Sequence, residues 1–151
     1  MAKIRHIAIA TNDPEKTAEF YKNAFEFREV ARTPPDNPLA HGVFLSDGTL
    51  NLAILRFKTD QLGKGMDFTG VHHFGVLVED GDKTMEKLES LGGVCFMKPT
   101  PDEQEKMGYF EIKFRGPDGT VFDIAEHPWG GSAPLDSETA RLRERKPVAA
   151  K

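Results

Sequence analysis

The sequence predicts an α+β protein built from two βαβββ modules, in which one strand is followed by a helix and three further strands. The main observation is an internal repeat that aligns residues 6–19 with residues 73–86 without a gap. In both copies an apolar strand pattern leads to a helix start, and in both halves a hairpin pattern follows. The identical pairs are His6 with His73, Asp13 with Asp80, Lys16 with Lys83, Thr17 with Thr84, and Glu19 with Glu86.

The first module is predicted over residues 1–62. Its elements are a strand over 3–10, a helix over 13–26, a strand over 27–31, a proline-rich loop over 32–38, and a hairpin of strands 41–45 and 49–55. Asn12 or Asp13 can cap the helix, with Pro14 at its first position. Residues 57–70 contain three glycines and are predicted to link the two halves.

The second module is predicted over residues 71–128 in the same order. Its elements are a strand over 71–78, a helix over 82–91, a strand over 94–97, a polar loop over 98–106, and a hairpin of strands 108–114 and 120–126. Asp80 or Asp82 can cap the helix, and Gly92 with Gly93 can end it. After residue 128 the composition shifts to Gly, Ser, Pro and charge, so residues 129–151 are predicted to form a C-terminal tail.

The overall composition argues against some partners. A formal net charge of −4 over 151 residues is typical neither of nucleic-acid binding nor of binding to an anionic membrane surface. No apolar run is long enough to span a bilayer, and no apolar segment follows the charges of the N-terminus. The single cysteine, Cys95, cannot form an internal disulfide. We therefore expect a cytoplasmic protein that binds a small molecule.

Alternation along the strands predicts a shared site. His6 and His73 lie near the start of equivalent strands, on the face opposite the helix-packing residues and beside the small residues Ala8 and Gly75. Asp123 on the last strand is predicted to share that face, between apolar neighbours. Two histidines and one carboxylate are a common platform for a divalent metal ion with open positions. A single histidine on a strand is more often structural, and the repeat is what favours a site here.

Other residues are weaker candidates. A one-residue shift in matching the two hairpins sets Asn51 opposite Asp123, as a fourth ligand or a group that hydrogen-bonds to a ligand. Glu126 is an alternative carboxylate, and Tyr109 or Glu111 could supply an acid or a base. His72 is predicted to lie on the other face from His73, in a structural role. His41 and His127 could line the pocket.

The combined motifs resemble the vicinal oxygen chelate superfamily, also called the glyoxalase, bleomycin-resistance and extradiol dioxygenase superfamily. The resemblance covers about residues 3–127. It rests on His6-Ile-Ala-Ile with Asp13 and Phe20-Tyr21, on His73-Phe-Gly-Val with Asp80, on Leu91-Gly92-Gly93, and on Pro117-Asp118-Gly119-Thr-Val-Phe-Asp123. The resemblance implies that the paired modules curl into a mixed-sheet cup, with the metal on His6, His73 and Asp123. Asp123 departs from the usual glutamate, and Asn51 departs from the usual fourth ligand.

The resemblance implies a metal-dependent enzyme that chelates two oxygens of a small substrate. Lyase or isomerase chemistry is favoured, on Zn, Ni, Co, Mn or Fe, and members of this size are often homodimers. The alternatives are a ring-cleaving type of dioxygenase and a non-catalytic, drug-sequestering binding protein. Members of the last class generally lack the histidine pair, so His6 and His73 argue against it.

Overall fold

The computed structural model describes residues 1–108 and 110–135. Within these residues the chain forms eight strands and three helices. In chain order they are β1 (Lys3–Ala10), α1 (Pro14–Phe25), β2 (Arg28–Arg32), β3 (Ala40–Ser46), β4 (Asn51–Phe57), β5 (Gly70–Leu77), α2 (Gly81–Ser90), β6 (Val94–Met97), α3 (Pro101–Met107), β7 (Ile112–Arg115) and β8 (Val121–Ala125).

The eight strands form one mixed sheet in the order β2-β3-β4-β1-β5-β8-β7-β6. Within each module the first strand pairs in parallel with the last, as β1 with β4 and β5 with β8. The two modules join at the antiparallel pair of β1 and β5 in the centre of the sheet. The predicted α+β fold of paired βαβββ modules is confirmed.

Each module has an apolar core beneath its own helix. Asp13 caps α1 by accepting a hydrogen bond from the Lys16 amide at 3.0 Å, and Asp80 caps α2 by accepting one from the Lys83 amide at 3.0 Å. The core under α1 joins Ala18 to Val43, Leu45 and Ile54. The core under α2 joins Met85 and Leu88 to Val78, Phe114 and Ile124. Both cores lie on the helix side of the sheet, so the other face is left for the histidines.

The predicted polar loop over 98–106 is wrong, because residues Pro101–Met107 form helix α3. Thr100 accepts a hydrogen bond from the Glu103 amide, and the Glu103 carboxylate accepts one from the Thr100 amide. This reciprocal capping box, with Pro101 at the first helical position, is a signal for the start of a helix. It was missed because the two prolines of this segment suggested a loop. Strand β7 begins only at Ile112, so Glu111 precedes it.

Residues 129–135 lie against the sheet, although they belong to the predicted tail. Trp129 and Leu135 are buried in one cluster with Leu77 and Ala125. Hydrogen bonds hold the segment to β3 and β4: the Ser46 hydroxyl donates to the Gly131 carbonyl at 2.6 Å, and the Asn51 amide donates to the Gly130 carbonyl at 2.8 Å. The folded unit therefore extends beyond residue 128. The basic residues from Arg141 onward lie outside the described residues.

In the part of the chain that the structure describes, no helix combines the length and the apolar character needed to cross a bilayer.

We expect Gly131→Ala to lower the free energy of unfolding by about 1–3 kcal/mol more than Gly63→Ala does. Both glycines have a positive φ, +76° and +69°, so the backbone strain of alanine is matched. Only at Gly131 would the added Cβ be crowded, at 2.6 Å from Ser46 Cβ. Urea unfolding of the two variants measures the difference. Equal losses would mean that the 129–135 segment does not lie where described.

Candidate metal centre

The first strands of the two modules place His6 and His73 next to each other. In the antiparallel pair of β1 and β5, His6 lies opposite Gly75 and Ala8 lies opposite His73. The two imidazole rings are nearly perpendicular, with centroids 5.2 Å apart. Both side chains are buried, with 2% and 3% of their surface exposed. The pseudo-equivalent positions inferred from the repeat thus meet at the centre of the sheet.

Asp123 completes the cluster from β8, where it pairs with Gly75. Its Oδ2 lies 3.0 Å from His73 Nε2 and 3.9 Å from His6 Nδ1. His6, His73 and Asp123 each offer one ligand atom, and these three atoms all lie within 4.8 Å of one another. Both ring nitrogens of His6 and Oδ1 of Asp123 are buried without a hydrogen-bond partner among the described residues. Buried polar atoms normally have a partner, so this donor set fits a divalent cation.

Gly75 makes room for this arrangement. A Cβ at residue 75 would lie 2.6 Å from Asp123 Oδ1 and 2.7 Å from Trp129 Cζ2. Any larger residue would push the carboxylate and the indole away from the histidines. The indole of Trp129 lies 4.9 Å from the His6 ring, measured between centroids.

Lys113 is a part of the site that the sequence analysis missed. It is 2% exposed, and its Nζ lies 3.2 Å from both His73 Nε2 and Asp123 Oδ2. Lys113 is the cross-strand partner of Asp123 in the antiparallel pair of β7 and β8. Cross-strand partners share a face, so the hairpin pattern around Asp123 contained the signal.

Glu111 lines the site from the segment before β7. Its Oε1 accepts a hydrogen bond from Trp129 Nε1 at 2.7 Å, and its Oε2 lies 3.4 Å from Lys113 Nζ. The segment 129–135 thus holds the Glu111 carboxylate in place through the indole of Trp129. Tyr109, the other residue proposed as an acid or base, lies outside the described residues.

Burial and charge pairing set the ionisation of the cluster. Burial lowers the pKa of His6 and of His73, which favours neutral imidazoles. Burial also opposes the charge of Lys113, but Glu111 and Asp123 outweigh it and raise the pKa of the ammonium. Burial raises the pKa of Asp123 to about 7, helped by the charge of Glu111. For Glu111 burial acts in the same direction, but the Lys113 ammonium, the two histidines and the Trp129 hydrogen bond together outweigh it and lower the pKa to about 2.

The shift that placed Asn51 opposite Asp123 is wrong. The repeat makes Ala8 equivalent to Gly75, and Ala8 pairs with Ala53 where Gly75 pairs with Asp123. Ala53 therefore holds the position equivalent to Asp123. Asn51 pairs with His6, and its side-chain amide holds the Gly130 carbonyl.

The structure also differs from the predictions for Glu126 and His72. Glu126 lies away from the cluster, where its carboxylate accepts a hydrogen bond from the Gly81 amide at the start of α2. His72, predicted on the opposite face, is buried beside His73, with their Nδ1 atoms 2.7 Å apart. The reason is a register shift between β1 and β5 at this point, since a bulge breaks the alternation of side chains. His72 also stacks on Phe57 at 3.8 Å.

A cavity of about 490 Å³, open space included, lies against the cluster. One end is polar, formed by His6, His73, Glu111 and Lys113. The remaining wall is largely apolar and includes Leu39, Ala40, Phe44, Leu55 and Phe57. Thr33 and Asn37 from the proline-rich loop also line it, as does Gln61. His41 is exposed, and His127 borders a different cavity with Glu126.

We expect Gly75→Ala to disturb the cluster far more than Gly116→Ala. An added Cβ at Gly116 meets its nearest neighbour at 3.5 Å, which is an ordinary contact. The sole tryptophan, Trp129, packs on His6, so its fluorescence spectrum reports on this region. The Gly75 variant should show a shifted emission maximum and reduced stability in urea, whereas the Gly116 variant should match the wild type. An unchanged spectrum in both would contradict the packing described.

Solved structures of similar fold support this architecture. A hypothetical protein of Bacillus halodurans aligns at 16% identity and a TM-score of 0.68, covering 85% of this chain and 96% of its own. A variant of Streptomyces coelicolor methylmalonyl-CoA epimerase in complex with 2-nitronate-propionyl-CoA aligns at 20% identity and a TM-score of 0.60, covering 81% and 94%. The methylmalonyl-CoA epimerase of Mycobacterium tuberculosis aligns at 16% identity and a TM-score of 0.60, covering 91% of each chain. These identities establish the shared fold.

Among curated protein sequences no relative matches. A family profile does match, and it spans residues 3–124, which include both modules and all three residues of the cluster. The chain therefore belongs to the Glyoxalase/Bleomycin resistance protein/Dioxygenase superfamily.

Proposed function

We propose that the protein is a metal-dependent enzyme that holds a divalent cation on His6, His73 and Asp123 and acts on a small substrate with two neighbouring oxygens. The observation that carries this proposal is that both ring nitrogens of His6 and Oδ1 of Asp123 are buried next to a cavity without a hydrogen-bond partner among the described residues. A protein that only shields an apolar molecule has no need for such atoms, since each costs free energy when buried without a partner.

The residues around the cluster support its use as a ligand set. Burial keeps both imidazoles neutral, which is the form that binds a metal. The Nδ1 contact with His72 orients the ring of His73 so that Nε2, which Lys113 Nζ contacts at 3.2 Å, is the nitrogen that would bind a cation. Ala53, at the position equivalent to Asp123, supplies no fourth ligand and leaves a coordination position open. The nitrogen and oxygen donors suit Zn, Ni, Co, Mn or Fe.

A bound cation would polarise a carbonyl oxygen of the substrate and so acidify the neighbouring carbon. Among the described residues that line the cavity, Glu111 is the one carboxylate. Held by Trp129, it is in place to accept or return a proton, which is the step that isomerase and lyase chemistry requires. The similar fold of the methylmalonyl-CoA epimerases gives a modest preference for isomerase over dioxygenase chemistry.

We also propose that the chain forms a homodimer through the outer face of β1 and β5. Helix α1 packs over β3 and β4, and α2 packs over the strands of the second module, so the central pair lies between the helices. Its outer face carries the exposed apolar residues Ile4 and Val71, at 51% and 71% exposure. An exposed apolar patch of this kind favours self-association.

The proposed partners are otherwise limited to a small-molecule substrate. The net charge of −4 gives no support for nucleic acid or for an anionic membrane surface. Cys95 is a free cysteine, which suits the reducing cytoplasm.

Removing a ligand tests the metal site directly. We expect wild-type protein to bind Co²⁺ or Zn²⁺ at close to one ion per chain, and His6→Ala, His73→Ala and Asp123→Ala to bind far more weakly. The loss should exceed the roughly 10- to 100-fold that loss of an outer contact costs. Elemental analysis gives the stoichiometry, and quenching of Trp129 fluorescence by Co²⁺ gives the affinity.

His41→Ala is the matched control, because His41 is exposed on β3 and lies outside the cluster. It should bind Co²⁺ like the wild type. If the wild type binds no divalent ion, the enzyme proposal fails and the cavity is a plain ligand-binding pocket. Equal turnover with and without oxygen, once a substrate is found, would exclude the dioxygenase alternative.

The dimer is tested by placing a charge on its proposed surface. We expect Val71→Glu to shift the protein from dimer to monomer in sedimentation velocity, because burying an unpaired carboxylate opposes association. Leu91→Glu changes a residue that is similarly exposed, at 68%, but lies at the end of α2. It should remain dimeric. A wild type that sediments as a monomer at all concentrations contradicts the proposal.

A further inference from the structure

Lys113 holds the atoms that a bound cation would need. Its ammonium lies 3.2 Å from His73 Nε2 and 3.2 Å from Asp123 Oδ2, and both atoms belong to the candidate ligand set. An ammonium and a divalent cation cannot share those two atoms, because their like charges repel strongly at such distances. Metal binding therefore requires the ammonium to move off His73 and Asp123.

The ammonium keeps one anionic neighbour after this move. Glu111 Oε2 lies 3.4 Å from Lys113 Nζ, while Glu111 Oε1 is already occupied by the indole of Trp129. Lys113 and Glu111 both line the cavity. A buried ammonium has three hydrogens to donate and is costly to leave under-satisfied, so a further acceptor is needed on the cavity side.

The net charge of the metal-loaded site also favours an anionic ligand. The carboxylates of Glu111 and Asp123 would face a divalent cation and the Lys113 ammonium, which leaves one net positive charge at the polar end of the cavity. A monoanionic ligand would neutralise it.

The opposite part of the cavity is apolar. In the first module, Phe44 pairs with Ala53 where the second module pairs Lys113 with Asp123. The repeat thus gives one wall of the cavity an apolar ring where the other wall has an ammonium. Such a cavity suits a molecule with an anionic head and an apolar body.

We propose that Lys113 is a specificity-determining residue that binds an anionic oxygen of the substrate beside the metal, which rests on the metal site proposed above. The substrate class is a small monoanion with an apolar body, in which a carboxylate adjoins a carbonyl or hydroxyl oxygen. A 2-oxo or 2-hydroxy acid with an apolar side chain fits this description.

Two probes of the same shape test the inference. Benzoylformate carries a carboxylate next to its ketone, and 1-phenyl-1,2-propanedione has a methyl group in place of one carboxylate oxygen and no charge. Calorimetric titration of Zn²⁺-loaded protein gives a dissociation constant for each. We expect the wild type to prefer benzoylformate, and Lys113→Met to reduce that preference by about tenfold or more, as loss of a charged hydrogen bond does.

Several variants separate the possible outcomes. Lys83→Met removes an ammonium that is 84% exposed, and it should leave the preference unchanged. Lys113→Arg should retain most of it, and Lys113→Gln replaces the methionine variant if that one fails to fold. An unchanged preference in a neutral variant that still binds Zn²⁺ overturns this inference and leaves the metal site standing. A wild type that binds no Zn²⁺ overturns both.

Discussion

The site depends on a buried ammonium held between two carboxylates at the centre of the sheet. Lys113 lies 3.2 Å from Asp123 and 3.4 Å from Glu111, and none of the three would be stable there as an isolated charge. Their pairing requires close approach, which the glycine at residue 75 permits, and an anchor for Glu111, which Trp129 supplies. The segment beyond residue 128 is therefore tied to the site through the same carboxylate.

The fold was predictable because the information for it is local and repeated. Alternation gives the strands, caps at Asp13 and Asp80 give the two long helices, and the repeat shows that the halves are equivalent. Helix α3 was missed because its start at Thr100 lies between two prolines that suggest a loop. The burial of Trp129 could not be anticipated either, because its partner Leu77 on β5 is far away in sequence and glycines follow it.

The site was predictable as far as it depends on the alternation of side chains between the two faces of a strand. His6, His73 and Asp123 were predicted together because the repeat gives the two histidines equivalent faces and alternation along the last strand gives Asp123 the same face. The face of His72 was predicted wrongly because the bulge in β5 depends on pairing with β1, which the sequence of β5 alone does not reveal. Lys113 was missed for a different reason: lysine is almost never fully buried, so its residue type does not indicate a place in a buried cluster. Asn51 was misplaced because Asn51 and Ala53 share one face of β4, so alternation alone does not decide which of the two is equivalent to Asp123.

Duplication alone would give two equivalent half-sites, and the departures from equivalence decide what the cavity can bind. The histidines are retained in both modules, whereas Asp123 and Lys113 of the second module are matched by Ala53 and Phe44 of the first. One half consequently contributes the charges and the other contributes space and apolar surface. A symmetric pair of carboxylates would fill the fourth ligand position and raise the negative charge of the site. Alanine at that position supplies no ligand atom, and the cavity beside the cluster is lined by the aromatic ring of Phe44 and the ammonium of Lys113, so a ligand there meets an apolar surface and a positive charge.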